Sequence, residues 1–137
     1  MPKFLSIDYG KKRTGIAITD SQNIIASPLT TVETSNLNSF LKNITDKEDI
    51  TKIIVGDPKN LDNSSTDIST DVDVFTQNLI KIFQNIQVIR IDERFTSKMA
   101  KQAILMSGVN KKRRQDKKLV DQVSAAIILQ SYLSQLD

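Results

Sequence analysis

Cysteine, histidine and tryptophan are absent from this chain, and glycine and proline are scarce, with four and three residues. Without thiols or imidazoles there can be no disulfide, no thiolate nucleophile, no Cys/His zinc site and no imidazole base. Any hydrolysis must therefore run on carboxylates, with a metal ion as the expected companion. Long apolar runs are missing too. The run Phe4 to Ile7 is far shorter than the roughly 18 residues of a membrane span. No export or anchoring signal is visible, so a cytoplasmic protein with no membrane partner is expected. Aromatic residues are limited to Tyr9, Tyr132 and five phenylalanines, most of which read as core, so base stacking and sequence readout are not apparent.

What the chain has is enough apolar residue, 39%, to build one core of ordinary size in 137 residues, and a single domain spanning 1–137 is expected. The net charge of +3 is unevenly spread. Lys111, Lys112, Arg113, Arg114, Lys117 and Lys118 lie within eight residues that contain one acid, which leaves the rest of the chain net negative. A second cluster, Lys11-Lys12-Arg13, follows the first apolar run. Basic clusters of this kind are the footprint of phosphate-backbone binding or, less specifically, solvated loops.

Phe4 to Asp8 reads as a strand, Tyr9-Gly10 and Gly15 bracket a tight basic turn, and Gly15 to Thr19 forms the second strand of a hairpin. A turn at Asp20–Asn23 leads to a short third strand around Ile24 to Ala26, with a possible extension through Thr30 to Val32. Leu37, Phe40, Leu41 and Ile44 recur at helical spacing, and Ile53-Ile54-Val55, stopped by Gly56-Asp57-Pro58, has the unbroken apolarity of a buried parallel strand. Residues 59–71 read as an exposed loop before a second helix marked by Val72, Phe75, Leu79, Ile82 and Phe83. Val88 to Ile91 is a fifth strand. A helix capped by Thr96 or Ser97 and closed by Gly108 follows, and after the basic loop a last helix runs from about Lys118 to Leu136. This order predicts an α/β fold. Its five-stranded mixed sheet has three antiparallel strands, then two more parallel to the first, with helices on both faces.

The first, fourth and fifth strands would share one carboxyl edge, where ligands bind in open α/β sheets. Asp8 and Glu93 fall there. Asp121 joins Ala125, Ile128 and Tyr132 in one helical stripe, so it lies on a face expected to be buried and needs a metal or a basic partner. Each acid has a plainer reading. Asp8 could open the Tyr9-Gly10 turn, Glu93 could pair with Arg94 or Lys98, and Asp121 could be a helix cap or first-turn acid.

Phe4-Leu5-Ser6-Ile7-Asp8-Tyr9-Gly10-Lys11-Lys12-Arg13-Thr14-Gly15-Ile16-Ala17 resembles the opening signature of the YqgF/RuvX family. Asp92-Glu93-Arg94-Phe95-Thr96 resembles that family's DER-x-T motif, and Val120-Asp121-Gln122-Val123-Ser124-Ala125-Ala126 with Ile128-Leu129-Gln130-Ser131-Tyr132-Leu133 its C-terminal helix. The resemblance implies a ribonuclease H-like nuclease related to Holliday-junction resolvases, with members assigned to 5′-end maturation of the precursor of 16S ribosomal RNA. Carried over, the catalytic and metal-binding acids would be Asp8, Glu93 and Asp121, holding Mg²⁺ or Mn²⁺ ions about 4 Å apart for two-metal phosphodiester hydrolysis. Arg13 and Arg94 would contact phosphate or neutralise the acids, and Lys11, Lys12, Lys111, Lys112, Arg113, Arg114, Lys117 and Lys118 would bind nucleic acid. The partner would be structured RNA or branched DNA, and the chain a monomer or a homodimer.

The chain departs from the family pattern at Gly56-Asp57-Pro58, where an apolar residue usually separates Gly and Pro, and at Asn63, where glycine is common. Asp57 would lie on the active edge, as a turn acid facing solvent or as an extra ligand. A non-catalytic nucleic-acid-binding domain of the same fold is the alternative reading. A sugar-kinase or actin-like phosphate site at Asp8-Tyr9-Gly10 would need a second domain of similar size.

Overall fold

Alternation of large and small side chains sets the sheet. In the computed structural model, which describes residues 2–57, 68–92 and 116–136, strand β1 (Lys3–Asp8) pairs antiparallel with β2 (Arg13–Thr19), and β2 pairs antiparallel with β3 (Ala26–Glu33). Strand β4 (Ile50–Asp57) runs parallel to β1, and β5 (Gln87–Asp92) parallel to β4. The sheet order is β3-β2-β1-β4-β5. The predicted mixed sheet is thus the observed one, and the central position of β1 explains why Phe4 to Ile7 are buried on both faces.

The third strand starts later than the sequence suggests. Ile24 and Ile25 belong to the turn, and both are exposed. The Asp20 carboxylate accepts the backbone N–H groups of Ile24 (2.8 Å) and Ile25 (3.1 Å), and Asn23 adopts the left-handed conformation at φ 56°. Asx-type bonding of this kind competes with strand pairing for the same donors. Pro28 lies in β3, an edge strand, where its missing N–H costs no ladder bond in the sheet interior.

Helix α1 (Leu37–Lys47), preceded by a 3₁₀ turn at Thr34–Asn36, and helix α2 (Ser69–Ile82) supply the connections around β4. Helix α3 (Lys117–Gln135) closes the described chain. Two cores result. Leu5, Ile7, Ile16, Ile53 and Val55 pack with Leu37 and Leu41 of α1 and Val72, Phe75 and Leu79 of α2. On the opposite face Phe4, Ala17 and Ile54 pack with Ala125, Ile128, Leu129, Tyr132 and Leu133 of α3. Helices therefore cover both faces, and each fully buried Leu or Ile contributes about 1.5–3 kcal/mol.

The predicted helix after Thr96, the loop bearing Asn63 and the stretch Lys111–Arg114 lie outside the described residues, as do Glu93 and Arg94. Among the described residues no helix is long and apolar enough to cross a membrane.

Candidate active site

Asp8 is the last residue of β1. Along that strand Leu5 and Ile7 enter the α1/α2 core, whereas Phe4 enters the α3 core and the Ser6 hydroxyl donates to the carbonyl of Ala125 on α3 at 2.5 Å. The period of two therefore places Asp8 on the α3 face. Its partner across the ladder is Gly15. A Cβ on Gly15 would collide with the carbonyl oxygen of Asp121 and lie 2.9 Å from the nitrogen of Gln122. Glycine at this position lets the helix backbone lie directly on β2, and so brings Asp121 beside the strand residue that pairs with Asp8. Two acids separated by more than a hundred residues of sequence share one corner of the fold.

Asp121 is not fully buried, contrary to the stripe argument. Its carboxylate Oδ2 accepts from Arg13 Nε at 2.8 Å, with about a quarter of the side chain exposed. The basic partner that the sequence demanded is thus present, supplied by the start of β2. Nor is Asp121 a helix cap: Asp116 is the N-cap of α3, its carboxylate accepting the Lys118 N–H at 3.0 Å. One turn beyond Asp121, the Ser124 hydroxyl is buried and has no hydrogen-bond partner. Hydroxyl and carboxylate oxygens of this kind are the hard donors that Mg²⁺ and Mn²⁺ take, so the residues present fit such a cation. Asp8 and Asp121 are the two described acids of the predicted trio.

The basic residues gather at the same corner. Lys11 and Lys12 are exposed in the turn between β1 and β2, and Lys117 and Lys118 are exposed in the first turn of α3. That turn is tied to β3 by the Thr31 hydroxyl, which donates to the Lys118 carbonyl at 2.6 Å. The β1–β2 turn is itself braced. Thr34 donates its hydroxyl to the Gly10 carbonyl at 2.6 Å, accepts from the Thr14 hydroxyl at 2.9 Å, and donates its N–H to the Lys12 carbonyl.

Asp57 stands at the carboxyl edge but on the other face of the sheet. Ile53 and Val55 of its strand enter the α1/α2 core, and the Asp57 carboxylate accepts from Arg90 Nη2 at 2.7 Å, while Arg90 Nη1 bonds Asp73 of α2 at 3.0 Å. Asp57 is thus not a free turn acid facing solvent: its carboxylate ties β4 through β5 to α2.

Sequence reasoning missed the packing partners of the site. Thr34 lies outside every motif, and Ser6, though inside the opening signature, was given no role, although a serine inside the apolar run Phe4 to Ile7 is a visible irregularity. Tyr9, next to Asp8, turns toward α2 and packs its ring against Phe75, with centroids 4.8 Å apart and planes tilted by 32°. Burial and, second, the nearby Asp71 carboxylate push its phenol pKa up, which keeps the hydroxyl protonated.

The family model described as "RuvX: Holliday junction resolvase" matches residues 2–135. A relative from Flavobacterium johnsoniae, named "Putative pre-16S rRNA nuclease", is 50% identical over 134 residues, covering 98% of this chain and 97% of that protein. One of the same name from Phocaeicola vulgatus is 50% identical over 133 residues, covering 97% and 96%. Among solved structures, Thermus thermophilus RuvC in complex with a Holliday junction substrate superposes with a TM-score of 0.61 at 13% identity, covering 99% of this chain and 96% of that one. The fowlpox virus resolvase bound to Holliday junction DNA superposes with a TM-score of 0.60 at 15% identity, covering 98% of each. With the resolvases' ribonuclease H-like fold and a family match over nearly its whole length, the chain belongs to the RuvX family.

Proposed function

We propose that this chain is a single-domain nuclease that hydrolyses phosphodiester bonds in structured RNA, with the precursor of 16S ribosomal RNA as substrate. The observation that carries this reading is the convergence of Asp8 and Asp121 through the Asp8–Gly15 pairing and the seating of α3 on Gly15. The names of the relatives from Flavobacterium johnsoniae and Phocaeicola vulgatus support the substrate.

In this mechanism Asp8, Glu93 and Asp121 would hold Mg²⁺ or Mn²⁺, Glu93 following in sequence on Asp92, the last residue of β5. When bound, such cations lower the pKa of a water and neutralise charge on the leaving oxygen. Arg13 holds the Asp121 carboxylate in an ion pair and, with Lys11, Lys12, Lys117 and Lys118, presents positive charge to the phosphates that flank the scissile bond. Arg94, Lys111, Lys112, Arg113 and Arg114 would add phosphate contacts by the resemblance to the family. Clustered cations of this kind set affinity and orientation without reading sequence.

Branched DNA is the second reading, favoured by the family's description as a Holliday junction resolvase. Cleavage of an end-labelled ribosomal RNA precursor and of a four-way DNA junction, with Mg²⁺ or Mn²⁺, separates the two. Cutting of the RNA by wild type and not by Asp8→Asn is the expected result. Cutting of the junction alone would make the chain a resolvase, and binding of both without cleavage would leave a nucleic-acid-binding module.

A further inference from the structure

On the α1/α2 side of the carboxyl edge, opposite the face that carries Asp8 and Asp121, lies an open cleft of about 270 Å³. It is lined by the rings of Tyr9 and Phe75, 4.8 Å apart and tilted by 32° to one another, and its exposed rim carries Asn38 of α1 and Asp71 and Asn78 of α2. Phosphate is excluded by charge: no lysine or arginine is among the described lining residues, and Asp71 is an acid. A drug-sized ligand needs roughly 300–1,000 Å³, so the cleft suits a single planar ring system better than a whole nucleotide.

The polar groups on the rim are uncommitted. No hydrogen bond within the protein engages the Asp71 carboxylate, the Asn38 or Asn78 side-chain amide or the Tyr9 hydroxyl among the described residues, whereas Thr34, at the back of the cleft, is fully engaged with Gly10 and Thr14. Tyr9 also follows Asp8 directly. A nucleic-acid strand crossing the carboxyl edge with a phosphate at Asp8 would therefore have a neighbouring base within reach of Tyr9, on the other side of the sheet.

We propose that this cleft is a recognition site for one unpaired guanine of the RNA substrate, set next to the scissile phosphate. The proposal rests on the nuclease reading above and adds a specificity element to it. An unpaired base can be splayed out of its stack, laid against aromatic rings and read on its Watson–Crick edge. On that edge guanine presents two adjacent donors, N1–H and N2–H, which a carboxylate accepts in pairs, and an O6 acceptor for an amide N–H. Adenine offers one donor beside an acceptor that would face the carboxylate, and uracil one donor between two acceptors. Asp71 accordingly selects guanine, and Asn38 or Asn78 donates to O6. The composition argues against broad base readout, and the cleft concentrates the little aromatic surface available at one position.

The chain has two tyrosines and no tryptophan, so in a Tyr132→Phe background Tyr9 is the sole tyrosine reporter. Uridine pentaribonucleotides with a central guanosine, inosine, adenosine or uridine are titrated in EDTA, where no cleavage occurs. Guanosine is expected to quench Tyr9 emission and to bind about tenfold more tightly than uridine or adenosine, with inosine, which lacks the N2 amine, between them. Asp71→Asn is expected to reduce the guanosine preference to about twofold or less while uridine binding is kept or improved. Competition against a labelled guanosine pentamer on the chain with both tyrosines gives the same ranking independently of Tyr132→Phe. Equal affinity for all four pentamers, or a guanosine preference that survives Asp71→Asn, overturns the proposal. Failure of the nuclease reading registers separately, as absent cleavage with Mg²⁺ in a chain whose Tyr9 response is intact.

Discussion

The two faces of the sheet are built on different principles. The α1/α2 face is filled with Leu5, Ile7, Ile16, Ile53 and Val55, each fully buried against large side chains of α1 and α2. On the α3 face Ser6, Gly15 and Ala17 keep the strands low at the active edge, and the backbone of α3 comes down onto them. Large aliphatic groups maximise buried area and so stability. Small residues give up some of that area for close backbone approach, which fixes where Asp121 stands relative to Asp8. Both faces contribute buried area, and the close backbone approach that positions Asp121 is made on the α3 face.

Asp8→Asn gives the largest divergence between the two properties. Cleavage should fall about a thousandfold, while the unfolding midpoint stays close to wild type. Parallel cleavage assays and thermal melts read both quantities, and a large loss of stability would mean that Asp8 chiefly holds the turn.

The reverse substitution on the other face is Ile53→Ala. It should cost about 2–5 kcal/mol in urea unfolding and leave cleavage per folded molecule almost unchanged. If activity fell with the same variant at temperatures where it is folded, the separation of the faces would fail.

Gly15→Ala tests the close approach itself. The added Cβ meets backbone of α3 rather than a flexible side chain, so about 1–3 kcal/mol of destabilisation is expected together with a loss of cleavage out of proportion to it. Crystallography of the variant should show α3 shifted away from β2 at Asp121.

Removing the ion pair by Arg13→Ala should cost about 1 kcal/mol or less, because both partners keep contact with solvent, and the cost should shrink at high salt. The same variant should bind RNA with a weaker salt dependence, as expected on the loss of one phosphate contact.

The smallest effect belongs to neither face. Two backbone N–H groups, of Ile24 and then Ile25, hold the Asp20 carboxyl below the usual carboxylate range. A group depressed in the folded state contributes stability that is present above its unfolded pKa, near pH 4, and is lost as the pH falls through the lower folded value. Asp20→Asn should therefore lower stability slightly at neutral pH, where the ionised carboxylate contributes, and match wild type in acid, so that the acid limb of a stability–pH curve is flatter.

Several features of this protein were legible in the residues alone. Uninterrupted apolarity marked β4 as a buried strand, three short strands joined by tight turns could only be antiparallel, and helical spacing placed Asp121 on the same stripe as Ala125, Ile128 and Tyr132. These are local signals, carried by neighbours in sequence. The start of β3 was misplaced because the Asp20 side chain captured the N–H groups of Ile24 and Ile25, and residue type alone does not say where a side-chain acceptor outcompetes a ladder. The pairing of Arg13 with Asp121, the commitment of Asp57 to Arg90 and the docking of α3 on Gly15 were decided by the tertiary structure. Each joins residues remote in sequence, and each depends on which face of a strand a side chain takes and on how closely two backbones approach. A shift of one residue in register reverses the first, and one added methyl group at Gly15 prevents the second.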